Sequence, residues 1–340
     1  MRGPSGDGKA GAAGVDGAAG ADDAAGADSA AGAPGGAGTQ RLGRVVALGG
    51  GHGLATTLTA LRHHAERLTA IVSVADDGGS SGRLRAMTGL PAPGDLRRCL
   101  VALADSSSLW ARAFEHRFSG GDLDGHAVGN LIIAGLAEAT GDFAAALDAA
   151  AELLGVTGRV LPATTVPVVL KADVAGAEVL GQVNVKGSEK PISAVSLVPD
   201  DPPSPPEAVA AVADADLVVL GPGSLFTSVL ATGVVPDLRH AMAARTGGRV
   251  YICNLRPQLP ETAGYRSADH LRAVLAHRVP VDVVVVDRGS LDPDGPDEAN
   301  LRGVADAAGV RVVVADLARP SRAAHDTRRL GSMLAALAVG

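Results

Sequence analysis

Three glycine-rich loops hold most of the residues in this sequence whose types and spacing suit chemistry. They are Gly49-Gly50-Gly51-His52-Gly53, Asp76-Asp77-Gly78-Gly79-Ser80-Ser81-Gly82 and Gly221-Pro222-Gly223-Ser224. Glycine lets backbone N–H groups approach a phosphate closely, and a helix that begins at such a loop adds the positive end of its dipole. Taken alone, the first loop is as readily a tight turn as a phosphate cradle. It is not a GxGxxG, because Thr56 stands three residues beyond Gly53, and it lacks the Gly-Lys-Ser/Thr ending of a P-loop, which disfavours a Mg-ATP site of that kind. The second loop sets Asp76 and Asp77 beside Gly78, Gly79, Ser80 and Ser81. Capping of the following helix explains one Asp or Ser but hardly the whole cluster. Adjacent carboxylates suit hydrogen bonds to sugar hydroxyls, a divalent ion on a diphosphate, or a general base, so Asp76 and Asp77 are the catalytic candidates. The third loop, with Thr227 and Ser228 after it, resembles a second phosphate nest. Two nests fit a diphosphate better than a single phosphate.

Other residues carry weaker signals. His126 sits in Gly125-His126-Ala127-Val128-Gly129-Asn130, where Asn130 opens a helix. Helix capping by Asn130 and a satisfied, partly buried His126 weigh about as much as ligand contact. Arg97 and Arg98 follow Gly94-Asp95 near a helix start; Arg98 could pair with phosphate, although a solvated ion pair is the usual fate of such an arginine. His63 and His64 read as surface residues, since nothing nearby supplies further metal ligands, and no confident metal site emerges. No nucleophile elbow, HExxH, Cys/His zinc pattern or kinase motif occurs.

The elements that must position these loops alternate between strand and helix. Val45-Val46-Ala47-Leu48 is a short apolar run closed by the first glycine loop and followed by a helical pattern from Leu54 to His64. A second strand, Ala70 to Val74, ends in the aspartate loop. Gly94 to Leu154 reads as a group of helices. Between Thr165 and Val198 the period falls to two, as in Val166-Val168-Leu170 and Val179-Gly181-Val183-Val185, which predicts an antiparallel insert. After a proline-rich connector, strands are expected at Leu217 to Leu220, Val250 to Asn254, Val281 to Val286 and Val310 to Val314. The fold class is therefore α/β: a Rossmann-like, mostly parallel sheet with helices on both faces and ligands at its carboxyl edge.

Composition narrows the function. The chain has 340 residues, 46% of them apolar, enough for a full core. By contrast, 25 of the first 40 are Gly or Ala with no aromatic among them, so residues 1–40 are expected to form a disordered tail ahead of a single domain at 41–340. A net charge of −7 without a basic stripe disfavours nucleic acid. The two cysteines, Cys99 and Cys253, lie far apart and suggest neither a disulfide framework nor a CxxC site. No apolar run approaches the length of a membrane span, and the N-terminus lacks a secretory pattern, so a cytoplasmic protein without membrane insertion is expected.

Read together and in order, VVALGGGHGL, AIVSVADDGGSSGRLR, PGDLRRCLVALA, GHAVGNLIIAGL, ADLVVLGPGSLFTSVL and YICNLRPQLPETAGYRSADH resemble the gluconeogenesis-factor family, often called YvcK/CofD-like. The resemblance runs from about residue 44 to the C-terminus. It implies a Rossmann-like fold, binding of UDP-sugars such as UDP-N-acetylglucosamine, a cytoplasmic location and a role in cell shape during growth on gluconeogenic carbon sources. A more distant relative is 2-phospho-L-lactate transferase, which forms a phosphodiester from an activated nucleotide. Carried over, the family's glycine loop falls on Gly49, Gly50, Gly51 and Gly53, and its aspartate loop on Asp76 to Ser81. Its GHxxGN motif falls on His126, Gly129 and Asn130, and its GPGS motif on Gly221, Gly223 and Ser224, with Thr227 and Ser228 after it. Its NxMTQxGET stretch supplies Asn254, Gln258, Glu261 and Thr262. This chain departs from the family at His52, Phe226, Ala231-Thr232-Gly233 and Arg256-Pro257, which bears on ligand choice.

The leading expectation is a UDP-sugar-binding regulator whose occupancy is read by a protein of cell-envelope synthesis, in a homo-oligomer. The alternative is a nucleotidyl- or phospho-group transferase in which Asp76 or Asp77 binds Mg²⁺, the one candidate cofactor, or serves as base. An NAD-dependent oxidoreductase, resting on sheet and glycine turn alone, is weakest.

Overall fold

The first strand lies inside the sheet rather than at its edge, because its apolar run leaves no polar face: Ala47 and Leu48 are fully buried. The structure, a computed structural model, describes residues 41–292 and 295–337; the Gly/Ala-rich segment 1–40 lies outside the described residues. In chain order the elements are β1 (Leu42–Gly49), α1 (Gly51–Leu61), β2 (Ala65–Val72), α2 (Gly79–Thr88), α3 (Gly94–Leu103), α4 (Leu109–Glu115), α5 (Val128–Thr140), α6 (Phe143–Leu154) and β3 (Arg159–Pro162). An insert follows: β4 (Val169–Val174), β5 (Ala177–Leu180), α7 (Gln182–Lys186) and β6 (Ile192–Val198). The second half holds α8 (Pro206–Asp214), β7 (Leu217–Leu220), a π-helical turn at Leu225–Leu230 running into α9 (Ala231–Gly233), α10 (Pro236–Ala244), β8 (Gly248–Ile252) and α11 (Ser267–Ala276). It closes with β9 (Val283–Asp287), α12 (Asp297–Ala308), β10 (Arg311–Ala315) and α13 (Thr327–Leu337).

Seven strands form one parallel sheet in the order β10-β9-β8-β7-β1-β2-β3, and β5-β4-β6 form a small antiparallel sheet. From β1 the chain steps outward through β2 to β3; from β7 it steps the other way through β8 and β9 to β10. Right-handed crossovers then place the connecting helices of the two halves on opposite faces. Helix α1 lies on the sheet because Leu54, Leu58 and Leu61 recur on one side and are buried there. Asp142 caps α6 by accepting from the Ala144 and Ala145 N–H groups, and Gly155 ends that helix in the left-handed region.

The α/β class and the antiparallel insert stand as the sequence predicts, with local differences. Strand β2 runs from Ala65 to Val72 rather than Ala70 to Val74. The four-residue β3 has no counterpart in the predicted strands; it is an edge strand, where Pro162 is tolerated because no further partner needs its N–H. Val183 and Val185 continue the period-two pattern but lie in α7, because Gly181 turns the chain at φ +92° after β5.

Candidate functional site

Strands β1 and β7 are neighbours whose outgoing connections run in opposite directions, so a crevice opens between their carboxyl ends. There the structure has a cleft of about 510 Å³, which continues past His52, Gly53 and Gly223 into a second chamber of about 680 Å³. The first chamber gathers residues from all three glycine loops: Gly50, Gly51 and Gly53; Asp76 and Gly78 to Ser81; Gly223 and Ser224 with Thr227 and Ser228. Asn130 and Gln258 also line it, while Asn254 and Glu261 line the second chamber. Gly49, Asp77, His126, Gly221 and Thr262 line neither.

The turn from β1 to α1 needs glycine for separate reasons. Gly51 has φ +60°, which disfavours any side chain there. A Cβ on Gly50 would lie 2.6 Å from an Asp95 carboxylate oxygen, and one on Gly53 would collide with the Pro222 carbonyl oxygen. Thr57 Oγ1 donates to the Gly221 carbonyl oxygen at 2.8 Å and Thr232 Oγ1 to that of Gly49 at 3.0 Å, so these two carbonyls are satisfied within the fold. Helix α1 starts with neither a capping side chain nor an acidic first turn. Its leading N–H groups lack intrahelical partners and point toward the cleft, although Asp95 takes the N–H of Gly51.

The aspartate loop divides its two carboxylates. Asp76 faces the cleft and accepts from the Gly78 N–H at 3.0 Å, whereas Asp77 Oδ1 turns to the insert and accepts from the Val183 N–H at 2.9 Å. Helix α2 begins at Gly79 (φ +50°), again without a capping side chain or an acidic first turn. Behind it, Ser80 Oγ meets His126 Nδ1 at 3.1 Å and accepts from Asn130 Nδ2 at 3.0 Å. Asn130 Oδ1 in turn accepts from Arg97 Nε, and Arg97 Nη1 donates to the Phe114 carbonyl and to Glu115 at 2.6 Å. The capping role for Asn130 does not hold, because α5 starts two residues earlier with no side-chain cap. His126 and Arg97 are buried supports of the loop, and burial lowers the pKa of each.

The third loop differs from an open nest. Gly223 donates its N–H to Asn254 Oδ1 at 3.0 Å, and Asn254 Nδ2 returns to the Gly223 carbonyl oxygen at 2.8 Å. Glu261 Oε1 accepts from the N–H groups of Phe226 (2.8 Å) and Thr227 (3.1 Å), which open the π-helical turn. Burial raises the Glu261 pKa, and those two N–H groups oppose the rise. Thr262 Oγ1 accepts from the Gln258 N–H at 2.8 Å and fixes the supporting segment. Most donors of this loop are therefore committed internally; at the starts of α1 and α2, beyond the Gly51 and Gly78 N–H groups that Asp95 and Asp76 accept, the leading N–H groups remain for an anion.

Sequence reasoning passed over Asp95, Arg117, Gln182 and Lys186, and weighed Arg98 between a phosphate contact and a solvated ion pair. Asp95, in the first turn of α3, is buried; desolvation raises its carboxyl pKa, Asp76 adds to that, and Arg98 at 2.7 Å opposes it. Arg98, Arg117, Lys186 and Gln182 complete the rim. The run Gly94-Asp95-Leu96-Arg97-Arg98 held the signal for Asp95, but it reads equally as a helix start. Burial and the nearby Arg98 lower the His52 pKa.

A family model described as 2-phospho-L-lactate transferase CofD matches residues 45–320. The chain belongs to the CofD family. The matched span begins inside β1 and takes in every residue lining the first chamber, while Ala323, Ala324 and His325 of the second chamber lie just beyond it. Among relatives, a gluconeogenesis factor of Halalkalibacterium halodurans is 44% identical over 235 residues, covering 68% of this chain and 73% of that protein. The gluconeogenesis factor of Bacillus subtilis is 42% identical over 236 residues, covering 69% and 74%. A crystal structure of a UPF0052-family protein from Bacillus halodurans superposes with a TM-score of 0.80 at 36% identity, covering 87% of this chain and 99% of that one. This CofD-family chain has, among its described residues, no helix long and apolar enough to cross a membrane.

Proposed function

We propose that the cleft binds the diphosphate of a UDP-sugar, UDP-N-acetylglucosamine being the test ligand, and that the chain acts as a cytoplasmic regulator of cell shape during gluconeogenic growth. The observation that carries this reading is the convergence of two uncapped helix starts, α1 and α2, with Arg98, Arg117 and Lys186 on one cleft at the sheet's switch point. The adjoining chamber leaves room for the rest of a nucleotide sugar. In this reading the occupied cleft biases a surface recognised by a protein of cell-envelope synthesis, and the chain works as a homo-oligomer. Calorimetric titration with UDP-N-acetylglucosamine, GTP and NAD⁺ separates the ligand classes. Saturable binding of the UDP-sugar alone is the expected result; preference for NAD⁺ would remove the reading.

One feature favours a second reading, a transferase. Burial first and the nearby Asp76 charge second raise the pKa of Asp95 against the pull of Arg98, and a cation shared with the diphosphate would stabilise the two carboxylates together. These two carboxylates would hold Mg²⁺, which would supply charge neutralisation during group transfer. Repeating the titration with EDTA, with mass spectrometry of the products, decides between them. Unchanged affinity and intact ligand support the regulator; metal-dependent release of UMP or UDP supports the transferase.

A further inference from the structure

We propose that Asp77 is a positioning residue, a latch that holds α7 of the antiparallel insert against the cleft so that Lys186 faces the bound diphosphate. The inference rests on the diphosphate reading of the cleft. It starts from the division within the aspartate loop: Asp76 lines the cleft, whereas Asp77 spends Oδ1 on the N–H of Val183, 106 residues away in sequence. Gly181, which precedes α7, is packed so tightly that a Cβ there would lie 2.5 Å from Asp77 Oδ2, and a Cβ on Gly78 would lie 3.1 Å from a methyl of Val183. The carboxylate thus satisfies an N–H in the first turn of α7 from outside the helix, a capping task that α7's own N-cap, Gly181, has no side chain to perform. On the opposite wall Gln182 Nε2 reaches the Thr227 carbonyl oxygen at 3.5 Å, and Val185 is fully buried beneath. Helix α7 therefore spans the mouth between the aspartate loop and the turn after β7.

What α7 delivers is charge. Arg98 is paired with Asp95, and Arg117 donates to the Gly125 carbonyl oxygen. Lys186, at the end of α7, lines both chambers and forms no salt bridge among the described residues. A flexible lysine helps an anion only when its backbone is held in place, because ordering it otherwise offsets the attraction. Asp77 supplies that hold through its oxygen as a hydrogen-bond acceptor. Its charge toward ligand or metal plays no part.

The full-length protein tests this with two independent readouts. Hydrogen exchange in the free protein should show faster exchange of the amides of residues 182–187 in Asp77→Ala, and wild-type rates in Asp77→Asn, whose amide oxygen still accepts from Val183. Affinity for UDP-N-acetylglucosamine should fall roughly three- to tenfold in Asp77→Ala, the range expected for one hydrogen bond, and stay within about twofold in Asp77→Asn. Because Asp77 acts through Lys186, Lys186→Ala should lose affinity too, and the double variant should lose little more than Lys186→Ala alone. Unchanged exchange in Asp77→Ala, equal losses in the Asn and Ala variants, or additive losses in the double variant would each overturn the latch. If the wild-type protein binds no UDP-sugar, the function proposed above falls, and the exchange experiment alone then judges Asp77.

Discussion

Gly53 fixes how closely the first helix approaches the third glycine loop. A Cβ added there would strike the Pro222 carbonyl oxygen and lie 2.7 Å from the Gly223 Cα, and neither is the end of a flexible side chain that can swing away. Gly53→Ala should therefore push α1 off the loop and cost about 1–3 kcal/mol, the range for overpacking, read as a lower denaturant midpoint at an unchanged slope. Gly223 differs. A Cβ there would meet nothing nearer than 3.6 Å, so its requirement comes from φ +149° alone, and Gly223→Ala should cost conformational strain without displacing α1. All three loops were legible as glycine clusters, but the separate task of each glycine was not, because steric contact across 170 residues of chain leaves no local signature. Asp77 makes the same point: adjacent carboxylates read as one chemical unit, and only the fold turns them in different directions.

The turn after β7 shows how an element can be completed by a distant segment. A helix start must find partners for its leading N–H groups, and here Glu261 supplies one carboxylate oxygen to Phe226 and Thr227 at once. Glu261→Ala should leave two buried donors unpaired and cost about 2–4 kcal/mol, seen as a fall in thermal midpoint of several degrees. Glu261→Gln, which keeps an acceptor oxygen, should recover part of that loss. Strands β1 and β7 were legible from continuous apolar runs, since a central parallel strand cannot carry a polar face. Strand β3 was not: Arg159-Val160-Leu161-Pro162 is too short to set a period, and its proline argues against a strand unless the edge position is known. Helix α7 misled for a related reason, because Val179, Gly181, Val183 and Val185 alternate faithfully up to and beyond the glycine that ends β5.

At the scale of the whole molecule, histidine titration should govern stability in mild acid. His126, His270, His277 and His325 are all buried, and desolvation lowers the pKa of each, that of His270 to about 4. His270 Nδ1 lies 3.3 Å from the Tyr251 hydroxyl, and His277 Nε2 accepts from the Val195 N–H at 2.8 Å, which ties strand β6 of the insert to α11. Protonating His277 would replace that acceptor with a second donor. A histidine neutral in the fold but protonated when unfolded means that the unfolded chain binds more protons, so stability is complete above about pH 6.5 and is lost as pH falls toward the folded value. For His270 that window runs from about 6.5 down to about 4 and is worth about 3 kcal/mol by its lower end. Asp95 and Glu261 act in the opposite sense, since their raised carboxyl pKa values favour the fold as they take up protons, but these two carboxyls oppose the four buried histidines together with His52, whose pKa is also lowered. Urea denaturation at pH 7.5 and pH 5 should therefore show a clearly lower midpoint in acid. His270→Asn, which keeps a polar atom near Tyr251 but cannot titrate, should flatten the slope while lowering stability at pH 7.5. Equal wild-type midpoints at the two pH values would mean that these histidines open to water before they protonate.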